Sequence, residues 1–279
     1  MSTPQFEVVT TTTGAISIRD NLFNEIMHNP VGPWVEANML YIEQSSLEQK
    51  ILDESLDELV IFDVGLGAAA NTLSALHCIR RHQNKISKKI RIVSFEKNLD
   101  LLKFALLNAH RFDYFKGYEK AIETILEKDI WSEANLIWEL RRGDFIDSIT
   151  RETERPHIIF FDPYSPKVNQ EMWTMNCFQK IYNQSRASGT SLYTYSQATP
   201  IRAALLASGF YVGHGRSTGL KNETTQATTR IEDLESPLAE RWLKRWKSSD
   251  TPLPFDCTPI DETEIRNKIL THPQFNREK

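Results

Sequence analysis

The sequence predicts an α/β fold with a mainly parallel sheet and helices on both of its faces. From residue 60 onward, short apolar runs alternate with amphipathic helical stretches, a pattern that favours parallel strands joined by helical crossovers. The first alternation, Val60–Arg81, passes through a turn of small residues. With 279 residues, the chain is long enough for one large domain of this kind or two small ones.

The N-terminal region, residues 1–44, is predicted to form a hairpin and a helix that pack on the core. Two β-like runs, Phe6–Thr11 and Ala15–Arg19, flank a Thr-Thr-Gly connection. A turn rich in proline and glycine then precedes a predicted helix near Trp34–Gln44.

The central region, residues 45–234, is predicted to hold the sheet. Strands are expected at Val60–Val64, Ile90–Glu96, Leu136–Leu140, His157–Asp162, Ser191–Ser196 and Tyr211–Gly215. Helices are expected at Ala69–Arg81, Leu99–Phe112, Phe145–Thr153, Glu171–Ala187 and Pro200–Ser208, with an inserted helical piece at Tyr118–Glu133. Gln226–Ile231 should pair antiparallel with Tyr211–Gly215 at the sheet edge, and the polar tail, residues 235–279, should wrap the core.

Composition indicates an ordinary globular protein, with 40% hydrophobic and 25% charged residues. No signal-like leader and no apolar run of roughly 18 to 20 residues is visible, so we expect a cytoplasmic protein without a membrane span. Three cysteines, distant and without C-x-x-C spacing, predict neither a disulfide framework nor a metal site. The net charge of −4 argues against a non-specific nucleic-acid coat protein but allows a local basic surface.

The sharpest local motif is a strand, a turn and a helix over Val60–Asn71. Gly65 and Gly67 allow the backbone to approach a ligand where a side chain would clash, and the following helix offers free N–H groups. The spacing also matches the dinucleotide pattern G-x-G-x-x-A, and a purely structural turn is a further alternative.

Three acids at the ends of three successive strands favour S-adenosyl-L-methionine as the cofactor. Asp63 stands two residues before Gly65 and is expected at the cofactor's amino acid end. Glu96 ends the next strand, where ribose hydroxyls would lie, and Asp144 follows the third, where it could accept a hydrogen bond from the adenine amine. Ligands collect at the carboxyl edge of open α/β sheets, so these acids are predicted to share one site with Gly65 and Gly67.

The fourth strand delivers Asp162, Pro163 and Tyr164 to the same edge. Methyl transfer to an amine requires a free lone pair, and a carboxylate can orient the amine and take its surplus proton. An aromatic side chain can stack on a base or exclude water. Asp162 and Tyr164 are therefore the predicted catalytic residues; the alternative is a capping role for Asp162 and a core role for Tyr164.

Two basic segments could bind phosphates or bases. The first, Arg80–Arg91, contains no acid, and the alternative is a solvated helix face. The second, Arg241–Lys247, mixes cations with Trp242 and Trp246, and the alternative is an amphipathic helix with buried tryptophans.

The chain resembles the methyltransferase part of the bacterial MnmC-type tRNA 5-methylaminomethyl-2-thiouridine biosynthesis proteins, from about Gly32 to Arg266. The most specific motif is D-P-Y-S-P-K-V-N-Q-E-M-W, which is similar to the family's D-G-F-A-P-x-K-N-P-E-M-W. The matching segments are Gly65–Asn71, Ser94–Lys97, Gly143–Asp144, Asp162–Trp173, Ser188–Ala198 and Lys221–Ala227. Ala69 and Pro163 stand where the family has glycines, and Asn222 stands where it has a basic residue.

This resemblance implies a Rossmann-like class I methyltransferase that acts on the 5-aminomethyl group of a tRNA wobble (2-thio)uridine. It implies that Asp162 positions the amine, and it adds Asn71, Lys97 and Asp162 itself to the cofactor-binding residues. It implies tRNA as a partner, while the family's oxidase domain is not expected in this chain. The alternatives are a class I enzyme acting on another amine, aminopropyl transfer on a related fold, and a cofactor-binding protein without catalysis.

Overall fold

The computed structural model describes residues 4–27, 30–217, 223–250 and 252–276. Its N-terminal part is an antiparallel sheet of β1 (Phe6–Thr10), β2 (Ile16–Asp20) and β3 (Glu25–Ile26). The predicted hairpin is confirmed as β1 and β2. The sequence does not predict the third strand, because two residues are too few to show a period of two.

The main sheet has eight strands in the spatial order β10–β11–β9–β8–β4–β5–β7–β6. The five central strands are mutually parallel, and antiparallel strands complete both sides. This confirms the predicted fold class. The strands are β4 (Glu58–Val64), β5 (Lys89–Glu96), β6 (Ile130–Glu133), β7 (Leu136–Arg142), β8 (Ile158–Phe161), β9 (Ser191–Thr194), β10 (Tyr211–Gly215) and β11 (Thr224–Thr228).

Both edges of the main sheet differ in detail from the sequence prediction. β11 pairs antiparallel with β10 as predicted, but it also pairs with β9, so β10 forms the edge. At the opposite edge, β6 occupies the last four residues of the segment predicted as helical. Asp129 takes a left-handed conformation with φ of 59° and ends the helix, and the chain then turns back along β7.

Helices cover both faces of the main sheet. Several are shorter than predicted, because 3₁₀ turns at Ala109–Arg111 and Gln170–Trp173 take up predicted helical residues and the helix after Asp144 makes a single turn. The helices are α1 (Pro33–Ala37, continued by a π-helical turn Asn38–Glu43), α2 (Leu47–Leu52), α3 (Ala70–Arg81), α4 (Asp100–Leu107), α5 (Glu119–Lys128), α6 (Phe145–Ser148), α7 (Met175–Ser185), α8 (Thr199–Ala207), α9 (Glu240–Lys247) and α10 (Glu262–Leu270).

The core consists of two apolar layers, one on each face of the sheet. Neighbouring residues of a strand point to opposite faces, so Ile61 joins the layer under α3 and α5, whereas Phe62 joins the layer under α7 and α8. Trp242 and Trp246 of α9 are buried in this second layer. The division at residues 44 and 234 stays a prediction.

Candidate active site

The carboxyl ends of β4, β5, β7 and β8 meet at one edge of the main sheet, and a cavity of about 680 Å³ opens there. Its wall includes the turn after β4, the residues after β5, β7 and β8, and β3 of the N-terminal sheet. This is the edge at which open α/β sheets bind ligands, and the volume suits a nucleoside-sized molecule.

The turn after β4 requires glycine at two positions. Gly65 has φ of 87° and Gly67 has φ of 53°, in the region that side chains disfavour. A Cβ atom on Gly65 would lie 2.7 Å from the carbonyl oxygen of Asp162. Ala69, at the start of α3, is also left-handed, with φ of 60°. The turn therefore packs directly against the residues after β8.

Glu96 links the turn after β4 to the end of β5 through hydrogen bonds of its carboxylate. Its Oε2 accepts the N–H of Gly67 at 3.1 Å, and its Oε1 accepts the N–H of Asn98 at 3.0 Å. Burial raises the pKa of Glu96, and these backbone donors partly offset the rise. A carboxylate has about four lone-pair positions, so Glu96 can still accept hydrogen bonds from two ribose hydroxyls.

Asp144 begins α6 and has a capping role as well as a place in the cavity wall. Its Oδ1 accepts the N–H of Ile146 at 2.9 Å, which is a standard N-cap bond. Its Oδ2 accepts from Lys97 Nζ at 3.1 Å, and this bond raises the pKa of the exposed Lys97. Both predicted residues line the cavity at the end expected for the adenine ring.

The position of Asp63 differs from the sequence prediction. Its side chain is fully buried and does not line the cavity. Thr72 Oγ1 and Ser94 Oγ donate to its Oδ2 at 2.6 and 3.0 Å. Burial raises its pKa to about 7. Asp63 still belongs to β4, and the pleat directs its side chain toward α3; its predicted contact with the cofactor stays a prediction.

Asp162 lies in the cavity wall and is held by Asn71. The amide Nδ2 of Asn71 donates to Asp162 Oδ2 at 2.8 Å. The amide Oδ1 of Asn71 is buried and has no hydrogen-bond partner within the described ranges. The family resemblance implies a cofactor contact for Asn71; the structure gives it a contact with the predicted catalytic acid.

Tyr164 faces the N-terminal sheet. Its hydroxyl donates to Asp20 Oδ2 at 2.9 Å, and the neighbouring Ser165 hydroxyl donates to Glu25 Oε1. Burial, followed by the bond to Asp20, raises the pKa of Tyr164 far above its ordinary value. The phenol therefore stays protonated, and its hydrogen bond links β2 to the segment after β8. The residue remains part of the cavity wall.

Further residues at the cavity escape prediction from the sequence. Glu25 and Glu36 line it, and Tyr195 donates its hydroxyl to the carbonyl oxygen of Pro163 at 3.0 Å. These residues stand alone in the sequence and reach the site only through tertiary contacts. The motif GTSLYTYS around Tyr195 is the single sequence signal that points to this part of the wall.

The first basic segment is divided between cations that are engaged within the protein and cations that stay exposed. Lys88 donates to the carbonyl oxygens of Lys50 and Asp53, and Arg91 pairs with Glu58 and Glu139. Arg81, Lys85 and Lys89 stay exposed.

The tryptophans of the second basic segment are not a surface for stacking bases. Trp242 and Trp246 are 8% and 2% exposed, and their rings stack on each other 6.4 Å apart. The amphipathic-helix alternative is therefore correct for them. The basic position of the family at Asn222, with Lys221, lies outside the described residues.

Neither a metal site nor a membrane span is found in the described ranges. No group of three or more His, Cys, Asp or Glu side chains is arranged to hold a metal ion there. In the same ranges, no helix combines the length and apolar character that crossing a membrane requires.

Comparisons with known proteins agree with this geometry. A family model described as S-adenosyl-L-methionine-dependent methyltransferase matches residues 113–230. The bifunctional MnmC protein of Campylobacter concisus is 26% identical, over 80% of this chain but only 35% of its own length. An uncharacterized protein of Methanocaldococcus jannaschii is 28% identical over 98% of this chain and 72% of its own length.

Solved structures show the same fold. MnmC2 from Aquifex aeolicus superposes with a TM-score of 0.73 at 23% identity, covering 96% of this chain and 84% of that one. The spermidine synthase of Thermotoga maritima gives 0.52 at 10% identity, covering 94% and 84%.

The fold, the glycine turn and the family match define a class I S-adenosyl-L-methionine-dependent methyltransferase. The cavity fits this cofactor, because Gly65 and Gly67 leave the turn free of side chains and Glu96 keeps acceptor capacity beside it. Within that class the chain is similar to MnmC proteins: to the Campylobacter protein in sequence, over about a third of that protein's length, and to Aquifex MnmC2 in fold.

Proposed function

We propose that this enzyme methylates the primary amine of 5-aminomethyl-(2-thio)uridine at the wobble position of tRNA. The observation that carries the proposal is Asp162, which Asn71 fixes in the cavity wall directly against the Gly65 turn. The similarity to proteins named for tRNA 5-methylaminomethyl-2-thiouridine biosynthesis supports this choice of amine.

The reaction needs a neutral amine close to an electrophilic methyl group. The bound cofactor supplies that methyl group on a sulfonium centre. Asp162 accepts the proton that the substrate ammonium loses and orients the lone pair. The nitrogen then bonds to the methyl carbon while the carbon–sulfur bond breaks and its electron pair stays on sulfur. The product is the methylated amine as its ammonium ion, and the proton on Asp162 passes to solvent.

The walls around Asp162 suit a reaction that water would hinder. The rings of Tyr164 and Tyr195 line the cavity, and both hydroxyls donate to protein acceptors. Burial raises the pKa of both tyrosines far above the ordinary value. We propose that both tyrosines shape the cavity and exclude water from it, and that neither transfers a proton.

Exposed cations outside the cavity would contact the tRNA backbone. Candidates are Arg81, Lys85 and Lys89 near α3, and the outward face of α9 with Arg241 and Arg245. Phosphate contacts release counterions, so tRNA binding should weaken as salt rises. We also propose a cytoplasmic location, where tRNA is modified.

The test is methyl transfer with purified protein, S-adenosyl-L-methionine and tRNA that carries the aminomethyl wobble base. Mass spectrometry of the digested nucleosides should show conversion to the methylaminomethyl form by the wild type and almost none by Asp162→Ala. If this tRNA is not methylated while a diamine such as putrescine is, the enzyme acts on another amine and the tRNA proposal is wrong.

A further inference from the structure

Acids outnumber cations among the described residues that line the cavity. Among the described residues that line it, one cation, Lys97, already pairs with Asp144. Six acids line the same cavity: Glu25, Glu36, Glu96, Asp144, Asp162 and Glu171. Asp144 and Glu96 belong to the cofactor end. The remaining question is which ligand the acids around Asp162 serve.

Glu36 is the most buried of these additional acids. It lies in α1 and is 5% exposed, and its side chain forms part of the cavity wall. Carboxylates are seldom buried to this degree, because desolvation disfavours the charge. Glu25 approaches from a different element, β3, and its carboxylate is positioned by the Ser165 hydroxyl.

Glu25, Glu36 and Asp162 line the cavity together with Tyr195. Burial raises the pKa of Tyr195 first, and the negative charges of Asp162, Glu25 and Glu36 then raise it further. Tyr41 is affected in the same order by burial, Asp162 and Glu36. Three carboxylates from α1, β3 and the end of β8 therefore line one cavity and act on the same tyrosine.

Such a cluster favours a ligand that brings positive charge. A carboxylate attracts a nearby cation and can accept several hydrogen bonds from it. A substrate ammonium is such a cation and can donate three hydrogen bonds at once. A hydroxyl in the same place would bring one donor and no charge.

We propose that Glu36 and Glu25 are substrate-binding residues that select a cationic amine and hold it as an ammonium ion beside Asp162 before the proton is lost. This inference rests on the proposed function, because it identifies how that substrate is recognised. It makes α1 and the N-terminal sheet a recognition wall for the reacting group, opposite the cofactor edge.

The test compares two anticodon stem-loop RNAs in the presence of S-adenosylhomocysteine, so that no methyl transfer occurs. One carries 5-aminomethyluridine at the wobble position, and the other carries neutral 5-hydroxymethyluridine. The wild type should bind the first RNA more tightly. Glu36→Gln should reduce this preference by at least about tenfold, because it removes one partner of a buried charge pair, and Glu36→Asp should restore part of it.

Glu43→Gln is the matched control. Glu43 lies in the π-helical turn that continues α1, but it is exposed and outside the cavity. Its removal changes the net charge equally and should leave the preference unchanged. Binding of S-adenosylhomocysteine measured by calorimetry should be the same in all variants. If Glu36→Gln loses that binding through misfolding, Glu25→Gln on the separate sheet decides the question.

The outcomes separate this inference from the proposed function. If the wild type methylates the wobble amine but Glu36→Gln keeps the full preference for the aminomethyl RNA, the inference is wrong and the function stands. If neither RNA binds, but putrescine binds and Glu36→Gln weakens it, ammonium selection stands and the tRNA substrate is wrong.

Discussion

The Tyr164 hydroxyl donates a hydrogen bond of 2.9 Å to the Asp20 carboxylate, joining the segment after β8 to strand β2. Asp20 is 1% exposed and also accepts the N–H of Leu22 at 2.9 Å. The bond fixes the N-terminal sheet over the cavity and places Glu25 near Asp162. A residue predicted to be catalytic is thus a structural link between the two sheets.

Replacing Tyr164 with Phe should therefore affect stability and substrate binding more than chemistry. The buried Asp20 loses a donor, which should lower the free energy of unfolding by about 1–3 kcal/mol. KM for the RNA should rise while kcat changes little, as denaturant titration and steady-state kinetics can show. A large fall in kcat with unchanged stability would instead make the hydroxyl a participant in the reaction.

Asp162→Ala should lower methyl transfer by roughly 10²–10⁴-fold, the usual contribution of a positioned acid or base. Cofactor binding should remain, because the proposed contact is to the substrate amine. Asp162→Asn separates two roles, since an amide oxygen can orient the amine but cannot readily take its proton. If Asn is active and Ala is not, orientation dominates, and raising the pH should compensate by increasing the neutral amine fraction.

Asn71→Ala should also slow methyl transfer, because Asp162 loses the 2.8 Å bond that fixes its carboxylate. Misplacement of a reacting group by about 1 Å can cost about 10²-fold, so we expect a loss of up to that size in kcat. Calorimetry should show whether cofactor affinity also changes. A variant with normal kcat but much weaker cofactor binding would make Asn71 a cofactor-binding residue, as the family resemblance implies.

Gly65→Ala should abolish activity through steric displacement of the segment after β8. The new Cβ would lie 2.7 Å from the Asp162 carbonyl oxygen and 3.0 Å from Pro163 Cα. Gly14→Ala is a matched control, because Gly14 has nearly the same φ, 85° against 87°, but beyond its chain neighbours no atom lies within 4 Å of the added Cβ. Both variants carry the backbone strain; only Gly65→Ala should lose cofactor binding and methyl transfer. Equal behaviour would assign the effect to strain alone.

Glu96→Ala should weaken S-adenosyl-L-methionine binding by about 1–3 kcal/mol, the scale of hydrogen bonds to a charged acceptor. It also removes the acceptor for the Gly67 N–H and so loosens the turn. Asp100→Ala, which changes an exposed acid at the start of α4, should leave affinity unchanged. Calorimetry with NADH completes the test, because tight NADH binding without any response to S-adenosyl-L-methionine would contradict the cofactor assignment.

The raised pKa of Asp63 should make the free energy of unfolding depend on pH. Its pKa is about 7 in the folded protein and near 3.8 when unperturbed, so between these values the folded state binds more protons than the unfolded state. The free energy of unfolding should therefore fall as pH rises from about 4 to about 7, by an amount on the order of 1–4 kcal/mol. Asp63→Asn keeps an acceptor for Thr72 and Ser94 and should flatten this part of the profile. An unchanged slope in denaturant titrations would show that Asp63 is ionised throughout.

The sequence by itself determined the architecture and the cofactor edge. Short apolar runs that alternate with amphipathic helical stretches predicted the parallel sheet. Strands and helices can be told apart in this way because their hydrophobic residues recur with different periods. The turn at Gly65 and Gly67, and the acids Glu96 and Asp144 at strand ends, came to one edge because parallel strands deliver their carboxyl ends together. Sequence periodicity did not resolve β3 or β6, where short strands adjoin turns.

Only the tertiary structure decided which polar residues share a surface. Asp63 was one residue too early in β4, so the pleat buried it under α3 instead of exposing it to the cavity. Glu25 reached the site with the N-terminal sheet, which the Tyr164–Asp20 bond links to the segment after β8, and Glu36 reached it on α1, which packs against α3. A local pattern encodes the direction of a side chain relative to its own element, but contacts across more than a hundred residues depend on how the elements pack.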